Sequence, residues 1–295
     1  CTVEPNNNQN TPRVSATPAS SPVVEIAKAT PTPEPSPEMP SGPNAIPQDT
    51  RVVVNIPAYR MDIFQDGSLI KTYKVGIGYP EFPLPTGMRT ADTVIFNPTW
   101  TVPDESWAAE MKNVSVGETV EAGDKNNPLG VIKIPIGLPS LIHGGKAPAK
   151  IGKFASHGCV GLTDKQIKDF AMRLAHASGT EIPATEVASY LQQRTKTREV
   201  KLKEEIPVEL RYETIVVEDG KLHIYKDVYD QKTNTEENLR SVLTAHGVDF
   251  ENLPAAQKTQ LLNALKSVSK KNEAIVAMPS AQKGYPAAVQ LDSGR

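Results

Sequence analysis

Short apolar runs, broken repeatedly by Pro and Gly, dominate the chain from Arg51 onward. Val52-Val53-Val54 reads as a strand, and so does Met61 to Gln65. Asp66-Gly67 is a tight-turn signal, and Ser68 to Ile77 reads as the strand that returns from it. Further strand-like runs lie at Thr93 to Phe96, Val131 to Ile136 and Ser140 to Ile142. A late hairpin is predicted from Tyr212 to Val217, through a Glu218-Asp219-Gly220 turn, to Lys221 to Tyr229. Many short strands with frequent turns predict a mainly β fold, a sandwich or barrel-like core.

Helical spacing is confined to three places. Thr163-Asp164-Lys165-Gln166 fits a capping box, in which the Thr hydroxyl and the Gln side chain satisfy free N–H groups. Ile167, Phe170, Ala171 and Leu174 then recur at i, i+3, i+4 and i+7, one buried face, and Gly179 suits the end. A second pattern is capped near Thr235 and carries Leu239, Val242, Leu243 and His246; a third starts near Pro254 and carries Leu261, Leu262, Leu265 and Val268. This C-terminal helical pair is expected to pack on the β core as a cap. The tail after Lys271 reads as loose.

The first 49 residues break the pattern. They hold 11 of the 26 prolines, with Asn, Ser, Thr and Ala between them. Pro31-Thr32-Pro33-Glu34-Pro35-Ser36-Pro37 alternates proline too densely for helix or sheet. The segment is expected to be an extended, semi-stiff tether. Charge nearly cancels, 32 Lys and Arg against 34 Asp and Glu for a net of −2, with no basic run, so nothing points to a nucleic-acid partner. No apolar run approaches the roughly 18–20 residues of a spanning helix. Two cysteines exclude a disulfide scaffold and a four-Cys zinc site.

Both cysteines carry chemistry. Cys159 sits in Ser156-His157-Gly158-Cys159-Val160, just before the capped helix, with His143-Gly144-Gly145 upstream. The thiolate is the nucleophile of a cysteine, and a nearby imidazole or a helix N-terminus stabilises it. Gly158 lets the backbone turn tightly, so the N–H groups of Gly158 and Cys159 could face one point and hold a developing oxyanion. One thiol, one base and paired amides suffice for acyl transfer. The plainer readings are a small buried hydrophobe for Cys159 and a hydrogen-bonded structural role for each His. A zinc site from His143, His157 and Cys159 is the third and weakest reading, and no metal or cofactor is expected.

The segment Ile142-His143-Gly144, followed by Ser156-His157-Gly158-Cys159-Val160, resembles the signature of the L,D-transpeptidases, bacterial enzymes that cross-link peptidoglycan through a cysteine. The resemblance extends through Val52 to Pro57, Thr72 to Gly78, Pro85-Thr86-Gly87, Asn97 to Trp100 and Asn127 to Gly130, and covers roughly residues 51 to 230. It implies an L,D-transpeptidase-like β core with one helix after the nucleophile. It implies Cys159 as nucleophile, His143 as general base and acid, and the Gly144 carbonyl as the group orienting that ring. Gly158 becomes an oxyanion-hole N–H, and His157 shapes the site. Peptidoglycan stem peptides are the implied partner, and carbapenems the implied inhibitors. The implied division is a tether at 1–49, a catalytic domain at 50–232, a helical extension at 233–272 and a flexible tail at 273–295. The implied reaction is cross-linking; an L,D-carboxypeptidase, an enzyme that fixes a protein to the wall, and a non-catalytic peptidoglycan-binding lipoprotein are the alternatives.

Family members usually show Arg two residues after the Cys, where this chain has Gly161. Gly supplies no donor fork for a carboxylate, which puts substrate affinity, site rigidity or acceptor choice in question. Lys146, Lys150, Lys153 and Lys165 are the nearby cations. Cys1, followed by the Pro-rich tract, resembles the lipid-bearing residue of a processed bacterial lipoprotein. That implies attachment to a membrane through lipid on Cys1, in the cell envelope outside the cytoplasm.

Overall fold

The computed structural model describes residues 42–137 and 139–282. The N-terminal half runs β1 (Arg51–Asn55), β2 (Arg60–Gln65), β3 (Ser68–Lys74), β4 (Ile77–Gly78), β5 (Gly87–Phe96) and β6 (Trp100–Thr101). A one-turn helix, α1 (Ser106–Ala109), precedes β7 (Thr119–Val120), β8 (Ile132–Pro135), β9 (Leu141–His143), β10 (Phe154–Ser156) and β11 (Val160–Gly161). Then come α2 (Asp164–Ala177), α3 (Ala184–Gln192) and the long strand β12 (Arg198–Arg211). The hairpin β13 (Ile215–Glu218) and β14 (Lys221–Tyr225) is followed by α4 (Glu236–Ala245), α5 (Ala255–Ser267) and β15 (Glu273–Ala277).

The fold is mainly β. One sheet has the order β11-β9-β8-β5-β12-β1-β2-β3. Its two ends are joined: Gly76, just past β3, exchanges hydrogen bonds of 2.8 and 2.9 Å with Gly161 of β11. Beside this seam β4 pairs in parallel with β10. The sheet therefore curls toward a barrel, as the pattern of short strands predicted.

α2 lies where the spacing put it. Gln166 N–H donates to Thr163 Oγ1 at 3.2 Å, Thr163 N–H donates to Gln166 Oε1 at 3.1 Å, and Gly179 follows the helix with φ of 72°. Ile167, Phe170, Ala171 and Leu174 are buried in the main core with Val52, Val54, Phe96, Ile134 and Ile142. Tyr73 meets Phe170 edge-on at 5.7 Å and donates to Asp169 at 2.6 Å.

Two of the larger elements that escaped the sequence pattern are β12 and α3. β12 is a central strand, antiparallel to β5 and parallel to β1. Its Lys and Glu residues and Pro207 mask an alternation that a register shift between Lys201 and Ile206 also interrupts. α3 contributes only Val187 as a buried residue, too little apolar signal to read.

The division into domains also differs from the expectation. Ile215, Val217, Leu222 and Ile224 of the late hairpin pack with Leu239, Val242, Leu243, Leu261 and Val268 in a second hydrophobic cluster, separate from the main core. The hairpin thus shares its apolar face with the helical pair. Glu273–Ala277, expected within a loose tail, is a strand that pairs with β14. The helices α4 and α5 do not cap the β core; they cover this small sheet. The reason is physical: alternation along a strand shows which side chains share a face, not what that face meets.

The expected tether at 1–49, with Cys1, falls outside the described residues as far as residue 41. Its described end is held in place: Asn44 Nδ2 donates to Ile215 O at 3.0 Å, and Val217 N–H donates to Asn44 Oδ1 at 3.0 Å. No helix among the described residues is long and apolar enough to cross a membrane.

Asn97 fastens α3 to the end of β5. It is buried with φ of 45°, and its Nδ2 faces the carbonyls of Tyr190, Gln193 and Lys196 at 2.7–3.1 Å. Asn97→Ala removes the buried donor that these carbonyls share and is expected to cost about 1–2 kcal/mol, read as a lowered midpoint of denaturant unfolding.

Candidate active site

The site is built where two parallel strands meet. β9 ends at His143, and β11 begins just after Cys159. Their register sets Val160 beside Ile142 and Gly161 beside His143. Ile142 and Val160 are fully buried in the core. Alternation sends the neighbouring side chains, Cys159 and His143, to the opposite face. Diagonal neighbours on a shared face are close enough for longer side chains to meet. The backbone of Leu141, the residue before Ile142, lies against the Cys159 sulfur and favours its thiolate.

Local geometry fixes the His143 ring. Its Nδ1 lies 2.8 Å from the carbonyl oxygen of Gly144, the next residue. A carbonyl only accepts, so Nδ1 carries the proton and Nε2 keeps its lone pair. The turn that aims this carbonyl is itself braced. Asp164, the first residue of α2, accepts from Gly145 N–H at 2.8 Å and from Val131 N–H at 3.3 Å. Gly130 packs so tightly here that a Cβ on it would sit 2.2 Å from the nitrogen of Gly145. Asn127 ties the same loop to Pro98 O at 2.8 Å.

Burial sets the charge state. His143 is 2% exposed, and burial pushes its ring down to about 3, helped by the positive charge of Lys146; the carbonyls of Gly144 and Leu129 oppose this. Burial pushes the Cys159 thiol up, against the Leu141 backbone and the Lys146 charge. Burial thus favours a neutral imidazole and a neutral thiol.

The amides differ from the expectation. Cys159 N–H is taken: it donates to Ser156 Oγ at 3.1 Å, and Ser156 Oγ donates in turn to Cys159 O at 2.5 Å. Gly158 N–H has no partner among the described residues, and its carbonyl accepts from Ser140 Oγ at 2.8 Å. Gly158 has φ of 88°, a conformation side chains rarely adopt. One amide rather than two is free to face an oxyanion.

His157 takes no part in the His143–Gly144 arrangement. Its ring stacks on Trp107 at 3.9 Å and 2°, with Phe82 at 5.0 Å and Tyr79 at 5.4 Å, so it forms an aromatic wall. Trp100, by contrast, is buried in a small cluster with Val102 and Val120. Among the described residues no three His, Cys, Asp or Glu side chains are placed to hold a metal ion, so the zinc arrangement does not form.

Sequence reading missed Ser140, Ser156 and Tyr229. The two serines interrupt apolar runs, which was the available signal, and the structure buries both. Tyr229 OH donates to Gly78 O at 2.9 Å and accepts from Leu84 N–H at 3.1 Å, so it holds the loop that carries Phe82. Nothing local marks it.

Residues 49–192 match the L,D-transpeptidase catalytic domain family, YkuD. The Escherichia coli (strain K12) protein "Probable L,D-transpeptidase ErfK/SrfK" is 31% identical over 120 residues, 40% of this chain and 38% of the relative. The L,D-transpeptidase YcfS of the same organism, also named as probable, is 33% identical over 125 residues, again 40% and 38%. The chain thus spans under two-fifths of these relatives' length. Among solved structures, the catalytic domain of an E. faecium L,D-transpeptidase aligns over 56% of this chain and 98% of its own, at 17% identity and a TM-score of 0.36.

The depressed His143 ring gives a pH dependence of stability. Below its ordinary value of 6.5 the unfolded chain takes up a proton at this ring, and the folded chain does so only near 3. The stability is complete above 6.5 and declines as pH falls toward 3. His143→Gln is expected to flatten this part of the slope, read from denaturant midpoints measured between pH 7 and 4.

Proposed function

We propose, on the premise that residues 49–192 are an L,D-transpeptidase catalytic domain, that the chain transfers a peptidoglycan stem peptide onto an amine through Cys159. The observation that carries this reading is the His143 Nδ1 to Gly144 carbonyl bond of 2.8 Å, on a strand paired with the one that follows Cys159, which leaves Nε2 as a proton acceptor. A neutral thiol and a neutral imidazole are the forms in which a general base works: the ring takes the proton as the sulfur attacks.

The Cys159 sulfur attacks the carbonyl carbon of the L-centre of the stem's diamino acid, and its proton passes to His143 Nε2. The oxygen becomes an oxyanion facing the free N–H of Gly158; one such donor lowers the barrier by about 3 kcal/mol. The tetrahedral carbon collapses, its C–N bond breaks, and the terminal D-residue departs with the proton from His143. The thioester is then attacked by an amine of a second stem, which gives its proton to His143, and the thiol is regenerated with that proton. The carbonyls of Gly144 and Leu129, which favour the charged ring, support the imidazolium formed between these steps. Water in place of the amine makes the reaction a carboxypeptidation, and an amine of a protein fixes that protein to the wall. Carbapenems are expected to acylate the same sulfur.

A second reading has one observation in its favour. The raised Cys159 thiol is also what a domain that only binds peptidoglycan would show. In either case the location is the cell envelope outside the cytoplasm, where the polymer lies.

Mass spectrometry of the full chain with tetrapeptide-bearing muropeptides separates these readings. A cross-linked dimer with loss of the terminal D-residue is expected, absent in Cys159→Ala and slowed about 10²–10⁴-fold in His143→Ala. Loss of that residue without a dimer establishes carboxypeptidation. No product and no acyl-enzyme leaves the binding reading.

A further inference from the structure

Gly161 is occupied by another residue's side chain. Its place in β11 is beside His143 and two residues after Cys159. A Cβ built there would meet Cγ and Cε of Lys146 at 2.8 Å each and Cδ at 3.3 Å. The lysine stem thus lies across the strand in the space that a side chain at 161 would need. Its root is fixed, because Lys146 N–H donates to Leu162 O at 3.0 Å.

The charge at the end of that stem is unanswered. Lys146 is only partly exposed, and among the described residues its ammonium makes no ion pair and no hydrogen bond. Its field reaches the Cys159 sulfur, the His143 ring and the His157 ring. The charged groups that act on it in turn are the Cys159 thiolate, which favours the ammonium, and a second cation, Lys150, which disfavours it. The nearby carboxylate, Asp164, is engaged by the amides of Gly145 and Val131. Lys150, Lys153 and Lys165 are themselves exposed. A partly desolvated cation with no partner, held over a nucleophile, is a site for an anion.

Which anion follows from the bond that breaks. When the leaving group is the last residue of a peptide, its carboxylate lies two bonds beyond the leaving nitrogen. That places it within about 5 Å of the carbon under attack. A cation tethered beside the sulfur reaches it. We infer that Lys146 is the specificity-determining residue for the donor, its ammonium receiving the free terminal carboxylate of the residue that leaves. The inference rests on the transpeptidase reading for its substrate but not for its first test. An ammonium is a compact point charge with three donors, so it accepts a carboxylate without the bidentate geometry of a guanidinium.

The first test needs no turnover. Iodoacetate and iodoacetamide alkylate a thiol at the same carbon and differ in charge. Their rates at Cys159 of the full chain, followed on the Cys159 peptide to separate it from Cys1, give a ratio in which thiolate content cancels. Lys146→Met and Lys146→Gln are each expected to lower the iodoacetate-to-iodoacetamide ratio about tenfold. Lys146→Arg is expected to retain it. An unchanged ratio in a variant whose circular dichroism matches the parent overturns the inference, as does failure of both reagents to modify Cys159 in the parent.

The second test compares a tetrapeptide donor ending in a free carboxylate with the same donor ending in a carboxamide. The parent is expected to favour the acid in kcat/KM, and Lys146→Gln to lose about tenfold on the acid and little on the amide. Equal losses on both donors make Lys146 a counter-ion of the thiolate and overturn the recognition role. If the parent turns over neither donor, the transpeptidase reading fails, and the alkylation ratio alone decides whether Lys146 receives an anion.

Discussion

Two hydrogen bonds between Gly76 and Gly161 set the geometry of the whole site. They join the strand edge after β3 to the last strand of the sheet, so a sheet that is open in its pairing order becomes curled and nearly closed. Closure removes two exposed edges, each a row of unpaired backbone groups. It also seats β11 against β9, and that register puts Cys159 and His143 on one face. The parallel pair β4 and β10 reinforces the seam from the other side. A side chain at 161 would have to share this space with Lys146, so the residue that closes the sheet is also the residue that admits the cation.

The electrostatics of the site follow from the same closure. Burial removes water from His143 and Cys159 and pushes both toward their neutral forms. A neutral pair lacks the ready nucleophile of a thiolate–imidazolium pair, but it stores the proton where the chemistry needs it. Lys146 works against burial at the sulfur and with burial at the ring: its field favours a thiolate and disfavours an imidazolium. The Gly144 carbonyl, braced by Asp164 through Gly145, decides which nitrogen of the ring is free.

The second hydrophobic cluster is tied to the barrel by polar contacts at few points. Asn44 bonds to Ile215 and Val217, Asn55 Nδ2 donates to Glu213 O at 3.0 Å, and Arg60 pairs with Glu218. From the segment after β14, Tyr229 reaches back to Gly78 and Leu84. The loop so held carries Phe82, which packs on His157. A segment distant in sequence therefore supports one wall of the site.

What was legible in the chain is what neighbours in sequence decide. The capping box at Thr163 and Gln166, the buried face from Ile167 to Leu174, the Asp66-Gly67 turn and the Ser-His-Gly-Cys block all depend on residues within a few positions of one another. Backbone propensity and side-chain periodicity act over that range. The tertiary structure alone decided the rest. β12 became central because its partners, β1 and β5, lie more than a hundred residues away. The late hairpin joined α4 and α5 because an apolar face is satisfied by any apolar surface, and folding chose which. Lys146 was one of several nearby cations in the sequence. It became the one in the site because Gly161 leaves room for its stem and the Leu162 carbonyl holds its root, contacts that exist only once the sheet has curled.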